Sequence, residues 1–241
     1  MAARPASRPK PKPQRTWVRW TLTWATRFVL GFVVLSVLWV LVLRFVPPPI
    51  TVTMLGDVPT GHGVTKTWRS LSTIDPDMPR AVIAGEDSRF CAHNGFDYVA
   101  IANAARRNAT GGRIRGGSTI SQQTAKNVFL WQGGGYFRKG LEAWFTMLIE
   151  AMWGKRRIME VYLNVAETGI GTYGVEAGAR RYFKHGADRL SSREAAQIAA
   201  VLPLPKKRAG IAPTGFTGRY ARTIDRRIGV VRRERLDGCL S

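Results

Sequence analysis

The spacing of apolar residues predicts helices along most of the chain. In the clearest case apolar side chains fall at i, i+3, i+4 and i+7 positions over about residues 137–153, which indicates an amphipathic helix: Leu141, Trp144, Phe145, Leu148, Ile149 and Met152. Weaker versions of the pattern predict helices over 98–108, 118–128, 155–164, 175–183, 191–201 and about 216–236. Alternation typical of strands is scarce, so the expected fold class is mainly α.

One stretch differs from the rest because it is apolar on every face. Between Phe28 and Leu43 only Gly31 and Ser36 interrupt the apolar run, which continues past Arg44 to residue 46. This length is close to what a helix needs to cross a membrane, and the uniform apolar surface disfavours the alternative of a core helix. No small-residue cleavage site follows, so we expect residues 28–46 to be a retained transmembrane anchor rather than a signal peptide.

The anchor divides the chain into four expected parts. Residues 1–27 form a basic leader, and within it residues 1–16 are rich in proline, lysine and arginine and are expected to be disordered. Basic residues before a spanning helix favour a cytoplasmic leader, which places everything after the helix outside the cytoplasm. Residues 47–78 begin with three prolines and are expected to be a linker and membrane-proximal segment in which residues 50–75 are extended, and residues 79–241 are expected to be the globular domain.

The charge of the chain indicates an anionic partner. The net charge is +21, from 37 basic and 16 acidic residues, and residues 47–241 alone carry about +13. On charge alone the partner could be nucleic acid, anionic lipid or a pyrophosphate-bearing substrate. Basic residues are densest over 205–235, which either a solvated face or contact with lipid headgroups or anionic glycan would explain.

The two cysteines, Cys91 and Cys239, are far apart in the sequence. Two cysteines do not define a disulfide framework, and neither has the spacing of a metal site. The default expectation is therefore two free thiols.

The segment GGSTISQQTAKN at residues 116–127 concentrates groups that bind anions. Its glycine pair lets backbone approach a bulky ligand, and hydroxyl, amide and ammonium donors follow at close spacing. By itself it could be a loop that caps a helix, with Ser118 as the N-cap residue. Four further segments argue against that interpretation: EDSRFCAHNGFD at 86–97, RKGLE at 138–142, KRRIMEVYLN at 155–164 and GTYGVEAGARRYF at 171–183.

In that order and at those spacings, the five segments resemble the motif series of the family 51 peptidoglycan glycosyltransferases over about residues 79–205. The resemblance implies a lysozyme-like glycosyltransferase domain, with a membrane-proximal jaw subdomain, behind one N-terminal transmembrane helix. Because the chain ends soon after the last motif, we expect a monofunctional enzyme without a transpeptidase domain.

The resemblance also implies a substrate and a reaction. The substrate would be lipid II, a lipid-linked disaccharide pentapeptide that is polymerised into β-1,4-linked glycan with release of undecaprenyl pyrophosphate. The expected partners are lipid II, the nascent glycan strand, membrane lipids and the cell-wall synthesis machinery, but not nucleic acid. The enzyme would be a single-pass protein of the inner membrane, with a cytoplasmic N-terminus and a periplasmic catalytic domain.

Matching the motifs assigns roles to individual residues. A sugar hydroxyl is a poor nucleophile near neutral pH, so a carboxylate must take its proton, and Glu86 is the expected general base. Charge that builds on the departing pyrophosphate is best stabilised by fixed cations, for which the candidates are Lys126, Arg138 and Lys139. Neutral hydrogen bonds to the substrate are expected from Ser118, Gln122, Gln123 and Asn127.

Glu142 has two interpretations. An acid in the first turn of a helix gains about 0.3–1 kcal/mol from the helix dipole without any catalytic duty. Glu142 also matches the second catalytic glutamate of the family, which implies that it assists departure of the pyrophosphate. It would do so by holding a divalent cation, with Mg²⁺ the preferred ion, or an arginine or lysine.

Two other functions compete with glycan synthesis. A lysozyme-like hydrolase or lytic transglycosylase also uses a glutamate in a helical cleft, but it needs no cationic site for a pyrophosphate. A membrane-anchored polyanion binder is suggested by charge alone, and the expected location outside the cytoplasm counts against nucleic acid as its ligand. The sequence therefore favours synthesis.

Overall fold

The computed structural model describes residues 14–61, 63–109, 117–208 and 210–241, and within these ranges the fold is mainly α. The helices are α1 Gln14–Phe45, α2 Val52–Asp57, α3 Asp77–Glu86, α4 Tyr98–Ala109, α5 Ile120–Phe129, α6 Gly135–Met152, α7 Gly154–Val165, α8 Val175–Phe183, α9 Ser192–Val201 and α10 Gly215–Arg233. Three short strands form a small sheet in the order β1–β3–β2: β1 Thr65–Lys66, β2 Glu167–Gly169 and β3 Thr172–Tyr173. β3 is parallel to β1 and antiparallel to β2.

The periodicity located most of these helices to within about two residues at each end, but the linker prediction was wrong. Residues 50–75 were expected to be extended, whereas they contain α2 and strand β1. The Thr51 side chain caps α2 by accepting a hydrogen bond from the Met54 amide at 3.3 Å, and the Met54 side chain is fully buried. A helix this short is stabilised by its cap and its packing and leaves little periodic signal.

Helix α1 begins at Gln14, well before the expected start at Phe28, and residues 1–13 of the leader lie outside the described residues. The part from Trp17 to Phe45 is 29 residues long and contains an 18-residue stretch with a mean hydropathy of 2.6, so it is long and apolar enough to cross a membrane. The chain divides into two compact units between Trp39 and Val40. In the second unit, the Val40 carbonyl accepts a hydrogen bond from Trp153 Nε1 at 2.8 Å.

Two helix clusters make up the core of the second unit. Helix α3 packs against α9 and α10, and α5 packs against α6 and α7. Helices α3 and α5 are central in these clusters, so the side chains that they carry are held on rigid supports. The contacting faces consist of buried side chains, among them Val82, Ile83, Ile120, Phe145, Ile158, Ile198 and Ile224.

The expectation of two free thiols was wrong, because Cys91 and Cys239 form a disulfide with a Cα–Cα distance of 5.5 Å. The last turn of the chain, Gly238–Leu240, packs against α7 and lies beside the loop that follows α3. Because the C-terminal turn lies beside this loop, two cysteines that are 148 residues apart in sequence come into contact. Sequence spacing alone carries no signal for such a contact.

Candidate active site

The first motif forms a loop that is tied to the second motif through Asp87. The buried Asp87 carboxylate accepts a hydrogen bond from His93 Nε2 at 3.0 Å and another from the Ile120 amide at 3.1 Å. The Thr119 hydroxyl also donates to the Gly95 carbonyl at 2.6 Å. Asp87 and His93 therefore fix the loop that follows Glu86 against the N-terminus of α5.

Helix α5 starts with a capping box that involves Gln122. Thr119 is the N-cap residue, one position after the expected Ser118, and its backbone amide donates to Gln122 Oε1 at 3.0 Å. The Gln122 side chain is buried and points towards the N-terminus of its own helix, which it stabilises as part of the capping box. The contact predicted between Gln122 and substrate stays a prediction.

Gln123, the next residue along the helix, points towards Glu86 instead. Its Nε2 donates to Glu86 Oε2 at 2.8 Å, while Glu86 Oε1 is buried and has no hydrogen-bond partner among the described residues. Burial raises the pKa of Glu86 above its ordinary value, and the charge of Asp87 adds to this effect. The hydrogen bond from Gln123 and the charges of Arg208 and Lys126 act in the opposite direction. Glu86 thus combines raised basicity with one oxygen that accepts no hydrogen bond within the described part of the chain.

Glu142 lies within a cluster of cations. The buried Glu142 carboxylate pairs through Oε2 with Arg138 at 2.6 Å and through Oε1 with the Lys139 ammonium, which also donates to the Ser118 hydroxyl at 3.2 Å. Glu142 is the eighth residue of α6, and the first turn of that helix contains no acid. The helix-dipole interpretation of Glu142 was therefore wrong, and its role here is to hold Arg138 and Lys139.

This arrangement does not fit a metal ion at Glu142. Both carboxylate oxygens are engaged by cations, and a divalent ion would have to displace one of them. Among the described residues, one group of acids and histidines brings its ligand atoms within 4.8 Å of one another, and Glu142 is not part of it. That group is Asp87, His93 and Asp97, whose polar atoms already hold the loop together.

Lys126 is the cation of the site that lacks an internal partner. Its half-buried ammonium forms no hydrogen bond or ion pair within the part of the chain that the structure describes. Burial lowers the pKa of Lys126, and Arg138 and Lys139 add to this effect, whereas Glu142 and Glu86 oppose it. A bound anion would relieve this unfavourable environment. Asn127, the next residue, is buried on the same helix.

A glycine turn leads the chain into α6 and positions Arg138. Gly134 is the N-cap residue with φ of 86°, a left-handed conformation that favours glycine. A Cβ atom at Gly134 would lie 2.9 Å from Arg138 Cβ and 2.9 Å from the Trp131 indole nitrogen. The Arg138 guanidinium also donates to the Gly133 carbonyl, so the turn and this cation are structurally linked.

Three residues near Glu86 were not predicted as site residues. The Tyr162 hydroxyl donates to Gln123 Oε1 at 3.1 Å, the Tyr220 hydroxyl donates to the Gly85 carbonyl at 2.6 Å, and Arg208 acts on Glu86 through its charge. Tyr162 belongs to the fourth motif but is fully buried, which is typical of a core residue. For Arg208 the only sequence signal was the density of basic residues after position 205.

Comparison with known proteins relates this chain to one family. Residues 53–228 match the transglycosylase family. A biosynthetic peptidoglycan transglycosylase of Caulobacter vibrioides is 50% identical over 202 residues, which are 84% of this chain and 88% of that protein. Proteins of the same description from Pseudomonas aeruginosa and Xanthomonas campestris pv. campestris are 49% and 47% identical over 201 and 215 residues. These cover 81% and 86% of this chain and 87% of each relative.

Proposed function

Because this chain belongs to the transglycosylase family and is a peptidoglycan glycosyltransferase, we propose that it polymerises lipid II into β-1,4-linked glycan strands. The domain is lysozyme-like and the protein carries one helix that is long and apolar enough to cross a membrane. In the proposed reaction the 4-hydroxyl of the incoming sugar attacks C1 of the reducing-end sugar of the growing strand. The bond from C1 to the pyrophosphate oxygen breaks, and undecaprenyl pyrophosphate leaves.

Glu86 is the general base in this proposal. Its Oε1 takes the proton of the attacking hydroxyl, while Oε2 stays bound to Gln123. The observation that carries the assignment is this buried, partner-free oxygen on a carboxylate whose pKa is raised by burial. A base with a pKa closer to the working pH transfers protons more efficiently.

The cations stabilise the leaving group. Lys126, Arg138 and Lys139 supply fixed positive charge, and Glu142 keeps the last two in position until an anion binds. Such preorganised charge lowers the barrier because it needs no rearrangement as the pyrophosphate departs. Ser118 and Asn127 remain proposed substrate contacts. The divalent cation stays a prediction, and no step is assigned to it, because Glu142 is already paired.

The location of the reaction is also part of the proposal. A cytoplasmic N-terminus and a periplasmic domain at the inner membrane are supported by the basic leader before α1. The Cys91–Cys239 disulfide supports the same side, since disulfides persist in oxidising compartments. The cell-wall synthesis machinery remains a proposed partner.

The two glutamates should fail in different ways. Glu86→Gln keeps size and hydrogen bonding but removes the proton acceptor, so turnover should fall by about two to four powers of ten while lipid II still binds. Glu142→Gln should be severely impaired because Arg138 and Lys139 lose their anchor. Product sizing with labelled lipid II, and binding measured separately, would check both.

Glu160→Gln is the matched control for Glu142→Gln. Glu160 pairs with Arg157 at 2.8 Å on α7 and, among the described residues, forms no ion pair with Lys126, Arg138 or Lys139, so its replacement should leave turnover near normal. Partial recovery of Glu142→Gln at high Mg²⁺ would support a metal role after all. Polymerisation by Glu86→Gln at near-normal rates would remove the proposed mechanism, and cleavage of finished glycan without synthesis would favour a lytic enzyme.

A further inference from the structure

A chain of two hydrogen bonds links three helices at the base of the site. Tyr162 on α7 donates from its hydroxyl to Gln123 Oε1 at 3.1 Å, and Gln123 on α5 donates from Nε2 to Glu86 Oε2 at 2.8 Å. Tyr162 has no exposed surface, and the motif matching gave it no role. The two hydrogen bonds end at Glu86 Oε2, and in the proposed reaction the other oxygen, Oε1, takes the proton of the sugar hydroxyl.

We propose that Tyr162 is a positioning residue that, through Gln123, fixes the Glu86 carboxylate so that Oε1 is the atom that accepts the proton. This inference rests on the proposed function, in which Glu86 is the general base. Tyr162 touches neither substrate nor reacting atoms in this scheme. It acts only by fixing the orientation of the Gln123 amide.

The Gln123 amide has two chemically different ends, a nitrogen that donates hydrogen bonds and an oxygen that accepts them. An ionised carboxylate only accepts hydrogen bonds, so Glu86 requires the amide nitrogen and not the amide oxygen. The Tyr162 hydroxyl donates to the amide oxygen at the opposite end, which favours the same orientation. Without that donor the amide oxygen would be left unpaired and the side chain could turn, particularly while Glu86 is protonated.

The hydroxyl of Tyr162 stays a donor over the working pH range. Burial raises the pKa of Tyr162 well above its ordinary value, and the charges of Glu86 and Asp87 and the neighbouring Tyr220 add to this effect. The other charged groups that act on Glu86 come from different elements and would not change with Tyr162: Asp87 after α3, Lys126 on α5 and Arg208 after α9. Tyr220 on α10 donates to the neighbouring Gly85 carbonyl and would not change either. A change in the titration of Glu86 on loss of the hydroxyl would therefore report the link through Gln123.

Removal of the Tyr162 hydroxyl should change the dependence of kcat/KM on pH. Tyr162→Phe keeps the ring and its packing, but weakens the hydrogen bond that favours ionised Glu86. We expect turnover to fall about 2- to 10-fold, the effect of one hydrogen bond. The acidic limb of the kcat/KM profile should move to higher pH, because Glu86 becomes harder to ionise.

A double-mutant cycle tests the route through Gln123. Gln123→Met has a similar shape but no amide, so it should show a larger loss and the same direction of the pH shift. Adding Tyr162→Phe to Gln123→Met should have no further effect on turnover or on the profile. Tyr182→Phe is the control, because the Tyr182 hydroxyl donates to the buried Thr168 carbonyl at 2.7 Å and, in the described part of the protein, forms no hydrogen bond with Tyr162, Gln123 or Glu86. It should change thermal stability at most.

The outcomes separate this inference from the proposed function. An unmoved acidic limb in Tyr162→Phe, or additive effects in the double variant, would overturn the positioning role. If Tyr162→Phe is too unstable to assay, Gln123→Met alone must still move the acidic limb, and failure to do so also overturns it. Normal polymerisation by Glu86→Gln would instead refute the general base, whatever the Tyr162 variants do.

Discussion

At the residue scale, the two glutamates of the site occupy environments that suit opposite tasks. One oxygen of Glu86 has no hydrogen-bond partner among the described residues, and burial raises the pKa of Glu86, which suits the proposed role as proton acceptor. Glu142 has both oxygens paired with cations, which suits the proposed role of holding Arg138 and Lys139 in place. Two carboxylates in contrasting surroundings are a common sign of divided roles in catalysis.

A third acid, Glu167 on β2, predicts a pH dependence of stability. Burial raises its pKa to about 7, and the charge of Asp57 acts in the same direction, while Lys206 and the Gly171 backbone oppose it. In the unfolded chain the same group titrates near 4.5. The folded state therefore binds more protons between about 4.5 and about 7, so its stability should fall as pH rises through this window and level off above it.

Glu167→Gln should remove that decline and raise the melting temperature above pH 7. Glu194→Gln is a control of opposite sign. Burial works against ionisation of Glu194, but hydrogen bonds from Ser191 and His185 lower its pKa overall, so it stabilises the fold above its unfolded pKa. Its replacement should lower the melting temperature at neutral pH but not in acid. Thermal unfolding across pH would check both, and an unchanged slope in Glu167→Gln would contradict the assignment.

At the element scale, the last turn of the chain braces the loop that follows Glu86. The Cys91–Cys239 disulfide joins Gly238–Leu240 to the loop between Glu86 and His93. Arg80 on α3 donates to Asp237 at 2.8 Å, and Arg156 on α7 donates to the Leu240 carbonyl. The short C-terminal segment is thus held against two helices that position the site.

Loss of the disulfide should destabilise this brace. Replacing Cys91 and Cys239 with serine together should lower the free energy of unfolding by about 2–5 kcal/mol, since the bond closes a long loop. Turnover should fall as well, because Cys91 lies in the loop that follows Glu86, the proposed general base. A reductant should reproduce both effects in the unmodified protein and do nothing to the double variant. Identical melting curves with and without reductant would show that the bond contributes nothing.

At the scale of the whole molecule, the basic leader and α1 predict the topology. A reporter enzyme that works only outside the cytoplasm should be active when fused after Ser241 and inactive when fused before Met1. The physical reason is that basic residues near a spanning helix are retained on the cytoplasmic side. If the fusion before Met1 is active and the fusion after Ser241 is inactive, the catalytic domain lies on the cytoplasmic side, away from a substrate on the outer face of the membrane. That result would refute the proposed location.

Much of the fold follows from local patterns. The spacing of apolar residues located α6, α7 and α8 because helix formation and the burial of one face both depend on residues three and four positions apart. The uniform apolar run of α1 indicated a spanning helix by length alone. The ordered motifs likewise identified the family and drew attention to Glu86 and Glu142.

What the sequence alone determined was which residue types recur at which spacings, and this was enough for most of the helices, including the apolar N-terminal one, and for the family. Only the tertiary structure decided which side chains meet. Neighbours on α5 show why, since successive residues of a helix point about 100° apart. The Gln122 side chain bonds the N-terminus of its own helix and the Gln123 side chain bonds Glu86, although the sequence predicted the same substrate-binding role for both. Contacts such as Cys91 with Cys239 depend on how distant segments pack, and no local pattern encodes that.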